Sequence, residues 1–183
     1  MTEAGHRQFL APDVLQRASC EVFCAAQQAG VAVALLGGYA LQQQGSPRLT
    51  GDVDFVAERP LPSFPVVGSL SFGGDKLVTS EGVPVDLVLR NDEYTELYTD
   101  ALADATGRTP KGELPVVRPE YIAAMKMAAG RGKDMADLEF LVTDGHANLD
   151  EVRAIVRRHL GSYAARELDQ LVLVAQWKKD RER

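Results

Sequence analysis

The sequence predicts a mixed α/β (α+β) fold, with a small mixed β-sheet core flanked by helices over residues 1–112 and a helical portion packed on it over 113–183. Three observations carry this expectation. Short apolar runs bounded by Gly and Pro alternate with helix-period segments in the first part of the chain. From Pro119 onward only helix-period segments with start signals remain. With 183 residues, 45% hydrophobic and 25% charged, the chain is long enough to bury a real core and short enough for one domain or a core with an appendage.

Residues 12–29 place Val14, Leu15, Ala18, Val22, Phe23 and Ala26 at helical spacing and stop at Gly30, a helix C-cap. Residues 31–36 are continuously apolar and end at Gly37-Gly38, which reads as a strand buried on both faces. A short helix is expected over 39–44, then a turn from Arg48 feeding a second strand over 52–56. Residues 60–74, rich in Pro and Gly, read as loop with a strand fragment. Residues 76–79 and 83–89 flank Ser80-Glu81-Gly82 as a hairpin, and Pro84 points to a strand beginning at an edge. A helix over 91–105 and a last short strand over 113–117 follow. Pro119 fits the first turn of a helix to Ala129, and 133–142 reads as another. Asn148 with Glu151 is a capping signature for a helix to His159. A final helix over 163–178 carries Leu168, Leu171, Val172, Val174 and Ala175 as an apolar stripe for the core or a second copy.

Composition excludes several function classes. A net charge of -6 gives no overall attraction for nucleic acid or anionic membrane, so a nucleic-acid site has to be local. No run approaches the roughly 18 apolar residues of a membrane helix, and residues 1–9 lack the pattern of a signal peptide, so no membrane partner and a cytoplasmic location are expected. Cys20 and Cys24 share a helix face but make neither a zinc site nor a disulfide framework, and read as small buried apolar residues. His6, His146 and His159 are scattered without metal-ligand spacing. Gly130-Arg-Gly132-Lys133 is not a P-loop, because Met127 and Asp134 stand where Gly and Ser or Thr are required.

The informative residues are Gly37-Gly38, Asp52-Val53-Asp54 and Asp86. Positions two apart on a strand face the same side about 6.6–7 Å apart, so Asp52 and Asp54 project together. With Val85, Leu87 and Leu89 toward the core, Asp86 faces the other side, where a neighbouring strand brings it beside the first pair. Two such charges at 4 Å repel by about 4 kcal/mol at an effective dielectric near 20, so the cluster calls for a cation or a proton. Oxygen-only ligands suit magnesium, and two ions can serve the attacking and leaving oxygens of a phosphoryl displacement. A Gly-Gly turn between strand and helix lets backbone amides approach a phosphate. Neither the glycine pair nor Asp-x-Asp is specific alone; their ordered combination is.

Leu36-Gly37-Gly38-Tyr39-Ala40, then Arg48-x-Thr50-x-Asp52-Val53-Asp54, then Val85-Asp86-Leu87, resemble the signature of the polymerase-beta-type nucleotidyltransferase superfamily. The stretch from Lys126 through Arg131, Lys133, Asp134 and Asp137 to Leu138 is similar to the Lys-x-x-Ala-x-Arg-x-Lys-Asp-x-x-Asp-Leu helical segment of AbiEii-type nucleotidyltransferases. That group includes toxins of toxin-antitoxin and abortive-infection systems. The resemblance spans roughly residues 30–145 and implies a nucleotidyltransferase core for the sheet. It implies that Gly37 and Gly38 cradle the triphosphate, that Asp52 and Asp54 hold magnesium, and that Asp86 completes the metal site near the acceptor hydroxyl. Gly38 stands where many members have Ser, so the phosphate would meet backbone amides alone.

Lys126 and Arg131 are expected to reach triphosphate oxygens, Lys126 as a catalytic cation, or else to form a solvated basic face. Asp134 and Asp137 either orient them or solvate the helix. Arg48 and Thr50 either support the metal strand and phosphates or close the turn. The expected activity is metal-dependent transfer of NMP from an NTP such as ATP, with two Mg2+ ions, to an RNA or tRNA end or a protein hydroxyl, releasing pyrophosphate. A cognate antitoxin or toxin partner is implied by the AbiEii resemblance. Arg118, Lys126, Arg131 and Lys133, with residues 177–183, would form a local RNA-facing patch. The alternatives are an antibiotic nucleotidyltransferase acting on an aminoglycoside or lincosamide, and a non-catalytic antitoxin-like binding module.

Overall fold

The computed structural model describes residues 9–143 and 145–181. They divide into two compact units, the first running to Arg90 and taking in Ala105–Val116, the second made of Asn91–Asp104 and the chain from Val117 onward. The fold is mixed α+β, with a five-stranded sheet and six helices among the described residues. No helix of the described residues is long and apolar enough to cross a membrane.

The first unit holds α1 (Pro12–Ala29), β1 (Val33–Leu36), α2 (Gly37–Gln43), β2 (Val53–Ala57), β3 (Val66–Ser69), β4 (Gly74–Val78) and β5 (Pro84–Val88). The strand order is β1-β2-β5-β4-β3, with β2 and β5 parallel and the other pairs antiparallel. Helix α1 buries Leu15, Ala18, Ser19, Val22 and Ala26, the stripe its apolar period marks, and ends at Gly30. Ser19 is tolerated inside because its hydroxyl donates to the Leu15 carbonyl at 2.8 Å. Cys20 and Cys24 share a face as expected, but it is the outer one, and both are exposed.

All four residues of β1 are buried although the strand lies at the end of the sheet order. Its free edge is covered by the chain around Val116, where the Leu35 N–H donates to the Pro115 carbonyl at 2.8 Å. This contact replaces the strand expected over 113–117. Pro115 has no N–H to continue a ladder, and a single bridge between Leu35 and Val116 forms. Pro84 is likewise not a sign of an edge. Strand β5 is the central one, and Pro84 is accommodated as its first residue.

The second unit contains the start of α3 (Thr95–Arg108), then α4 (Pro119–Ala129), α5 (Gly132–Thr143) and α6 (Leu149–Arg181). Helix α3 begins later than the expected 91, because the Asp92 carboxylate accepts from the Tyr94 N–H at 3.1 Å and holds the chain in a turn. Ile122, Ala123, Leu138, Leu141, Val152, Val156 and Leu168 supply the unit's core. Gly161 breaks α6 with φ 89° and ψ 173°, so the two helices expected to either side of it are two straight pieces joined at a kink. That backbone region is open essentially to glycine alone.

Asn148 caps α6 as expected, its Oδ1 accepting from the Asp150 and Glu151 N–H groups at 3.1 and 3.3 Å. The reciprocal half of the cap is supplied from a distance, since the Asn148 N–H donates to Glu120 Oε1 at 2.8 Å. Glu151 turns instead to Arg118. Asn148→Ala is therefore expected to lower unfolding free energy by about 1 kcal/mol, read by urea denaturation, and Glu151→Ala to leave the cap intact.

Candidate active site

The sheet register decides where the three aspartates stand. Asp54 on β2 is paired directly with Asp86 on β5, with Leu36 on its other side and Lys76 of β4 opposite Asp86. Paired residues on neighbouring strands present their side chains to the same face. Val53, Phe55, Val85 and Leu87 are buried on the opposite face, so the inward apolar positions fix the outward acidic ones. Asp52 immediately precedes β2 and shares its parity with Asp54. Both Asp54 and Asp86 are half-buried.

The glycine pair is held against this row by contact. Gly37 adopts φ +73°, and a Cβ there would stand 1.9 Å from Asp54 Oδ2. The Asp54 carboxylate therefore lies directly on the Gly37 backbone, which no residue with a side chain allows. A Cβ on Gly38 would meet Thr50 Oγ1 at 2.9 Å. Thr50 is buried, and its hydroxyl donates to Asp52 Oδ1 at 2.6 Å. Each glycine thus seats one of the two β2-side carboxylates, Gly37 directly and Gly38 through Thr50. Gly37→Ala is expected to destabilise the chain by roughly 1–3 kcal/mol through left-handed strain and displacement of Asp54, visible as a lowered thermal midpoint.

Arg48 closes the turn through its backbone. Its carbonyl accepts from Gln42 Nε2 at 2.7 Å and its N–H donates to Ser46 Oγ at 3.3 Å. The Thr50 carbonyl accepts from the Leu10 N–H at 3.1 Å, tying the segment before α1 to the start of β2. Asp52, Asp86 and Lys76 line a cavity of about 770 Å³ with Leu10, Val14 and Val78 among its apolar walls.

No group of three or more His, Cys, Asp or Glu side chains among the described residues is gathered into a ready metal cage. Magnesium asks for less. It usually takes one or two protein carboxylates and completes its shell with phosphate and water, a demand that the oxygen-only set of Asp52, Asp54 and Asp86 fits.

Lys126 and Arg131 belong to the second unit. The Lys126 ammonium lies 3.0 Å from Asp134 Oδ1 and 2.7 Å from Asp137 Oδ2, and the residue is 9% exposed. Arg131 Nε donates to Asp134 Oδ2. Of the two readings for Asp134 and Asp137, orientation of the basic pair is therefore the one realised. Burial pushes the Asp134 carboxyl up, but the hydrogen bonds and charges of Arg131 and Lys126 outweigh it and hold it below the usual carboxylate range. Arg118, expected in an RNA-facing patch, is ion-paired with Asp104 at 3.0 Å and also with Glu120 and Glu151. Arg118, Lys126 and Arg131 of that patch are thus ion-paired with carboxylates of their own unit, and residues 182–183 of it lie outside the described residues.

No family model matches the chain, and no curated protein matches it. Among solved structures it is similar to the antibiotic-resistance factor ANT(2'')-Ia, with 14% identity and a TM-score of 0.51 over 86% of this chain and 98% of that one. It is also similar to an antigenic nucleotidyltransferase-like protein from Paracoccidioides brasiliensis, with 18% identity and a TM-score of 0.47 over 90% of this chain and 94% of that one. At 14% identity the likeness to ANT(2'')-Ia is one of fold alone.

Proposed function

We propose that the chain is a magnesium-dependent nucleotidyltransferase that transfers NMP from an NTP to an acceptor hydroxyl, with an RNA 3′ end as the first candidate. The observation that carries this reading is the seating of Asp54 on Gly37 beside Asp86, with Asp52 fixed by Thr50 against Gly38. Bound magnesium would supply charge neutralisation at the transferring phosphoryl group, held by Asp52, Asp54 and Asp86. The triphosphate would be met by backbone N–H groups where α2 begins at Gly37-Gly38. Asp86 accepts the proton of the acceptor hydroxyl as its oxygen bonds to the α-phosphorus and pyrophosphate leaves. Lys126 is held within the second unit by Asp134 and Asp137. The AbiEii-like segment adds the proposal that the enzyme is one arm of a toxin-antitoxin pair.

Incubation with each labelled NTP, magnesium and total RNA, followed by gel separation, tests the proposal. Label should appear on RNA and vanish in Asp52→Ala. A magnesium-dependent Asp52→Ala enzyme that still transfers at the parent rate would remove Asp52 from the site. No transfer together with no NTP binding by calorimetry would favour a non-catalytic binding module. The fold likeness to ANT(2'')-Ia supports a second reading, a small antibiotic as acceptor. RNA binding falls steeply with salt, whereas a small acceptor shows a shallow dependence.

A further inference from the structure

We infer that Lys76 selects an acceptor carrying a negative charge close to its reacting hydroxyl, as a nucleotide does, over a neutral or cationic one. The inference rests on the nucleotidyl-transfer reading of Asp86 and deepens it. Lys76 lies directly across the β4–β5 pair from Asp86, so their Cα atoms are neighbours and their side chains rise from the same face of the sheet. The next position in the row is Gly68 on β3, and a Cβ placed there would stand 3.6 Å from Lys76 Cδ. The lysine stem thus runs beside Gly68 at ordinary van der Waals distance, toward β3. Lys76 is exposed, while Asp86 beside it in the row is half-buried.

The space served by both groups is the cavity of about 770 Å³, large enough for a nucleotide-sized body. Four titratable side chains line it: Asp52, Glu81, Lys76 and Asp86. Glu81 is bound by Arg17 at 2.9 Å, and Asp52 accepts from Thr50. With magnesium on the aspartates, the charge left to meet an acceptor is the Lys76 ammonium. Leu10, Val14 and Val78 offer apolar wall to a base or ring. A hydroxyl at Asp86 and a phosphate at Lys76 match the polarity of the row, whereas a polycationic acceptor would place like charge on Lys76.

Cytidine 5′-monophosphate and cytidine share one body and differ by the phosphate. Their binding to the full chain is measured by calorimetry for the parent, Lys76→Ala and Lys76→Glu, alone and with magnesium plus a saturating non-hydrolysable ATP analogue. The parent should bind the monophosphate about tenfold or more tightly than cytidine. That ratio should fall toward one in Lys76→Ala and lower still in Lys76→Glu. Equal ratios in all three chains, or a parent that binds cytidine as well as its monophosphate or binds neither, would overturn the inference. Thermal melts establish that the variants fold, as substitution of an exposed side chain should permit. Failure of the ATP analogue to bind the parent would count against nucleotidyl transfer itself, while the ratio measured on the chain alone still decides the role of Lys76.

Discussion

Asp54→Asn is expected to lower nucleotidyl transfer by at least the roughly 10²–10³-fold that loss of one transition-state charge contact costs, without unfolding the chain. The substitution keeps the side chain's size, and the contact with Gly37 requires just that, since a Cβ on Gly37 would stand 1.9 Å from Asp54 Oδ2. It also removes one of two like charges directly opposite each other on β2 and β5, a repulsion worth about 0.2–1 kcal/mol in a sheet. The thermal midpoint of the free chain should therefore stay level or rise. Ligand response should move the other way. A parent chain that binds magnesium and ATP gains about 2.7 kcal/mol when the ligand is a hundredfold above its Kd, and Asp54→Asn should lose that gain. Thermal melts with and without magnesium and ATP, run beside the transfer assay, separate the two effects. Transfer at the parent rate by Asp54→Asn would show that the Gly37 seat has a structural role alone.

Much of this site is legible in the chain because local chemistry carries it. The run 31–36 ending in two glycines reads as a buried strand, and the structure gives β1 with every residue buried before α2 begins at Gly37. The alternation through Val53 and Phe55, and again through Val85 and Leu87, places Asp54 and Asp86 on the outward face of each strand. That they are direct neighbours is a matter of register between parallel strands far apart in sequence, which no local pattern states. The same register puts Lys76 beside Asp86, a neighbour that the hairpin prediction contained without revealing. The strand expected over 113–117 does not form for a related reason, since its apolar pattern reflects cover for the edge of β1 at one bridge. Cys20 and Cys24 show the limit of helical spacing, which identifies a shared face without saying which face turns inward.

Lys126→Met is expected to lower unfolding free energy by about 3–5 kcal/mol, because it leaves buried carboxylates without their central cation. Asp134 has no exposed side-chain area, Asp137 has 2%, and Lys126 touches both. Asp134 would keep Arg131, whose side chain is 58% exposed and holds it from the solvent side. Charge, rather than packing, should dominate the loss, and pH separates them. Because the native Asp134 carboxyl is held below its ordinary value of 3.8, its contribution is in full above that value and disappears as pH falls through the depressed native one. In Lys126→Met part of the depressing charge is gone and burial pushes the same group up. The deficit measured by urea unfolding should thus be largest near neutrality and shrink as Asp134 protonates. A second variant that adds Asp134→Leu and Asp137→Leu should recover most of the loss, since an apolar replacement of a buried ion cluster is often neutral. A deficit that is constant with pH and unrelieved by the leucines would instead assign the role of Lys126 to its methylene stem.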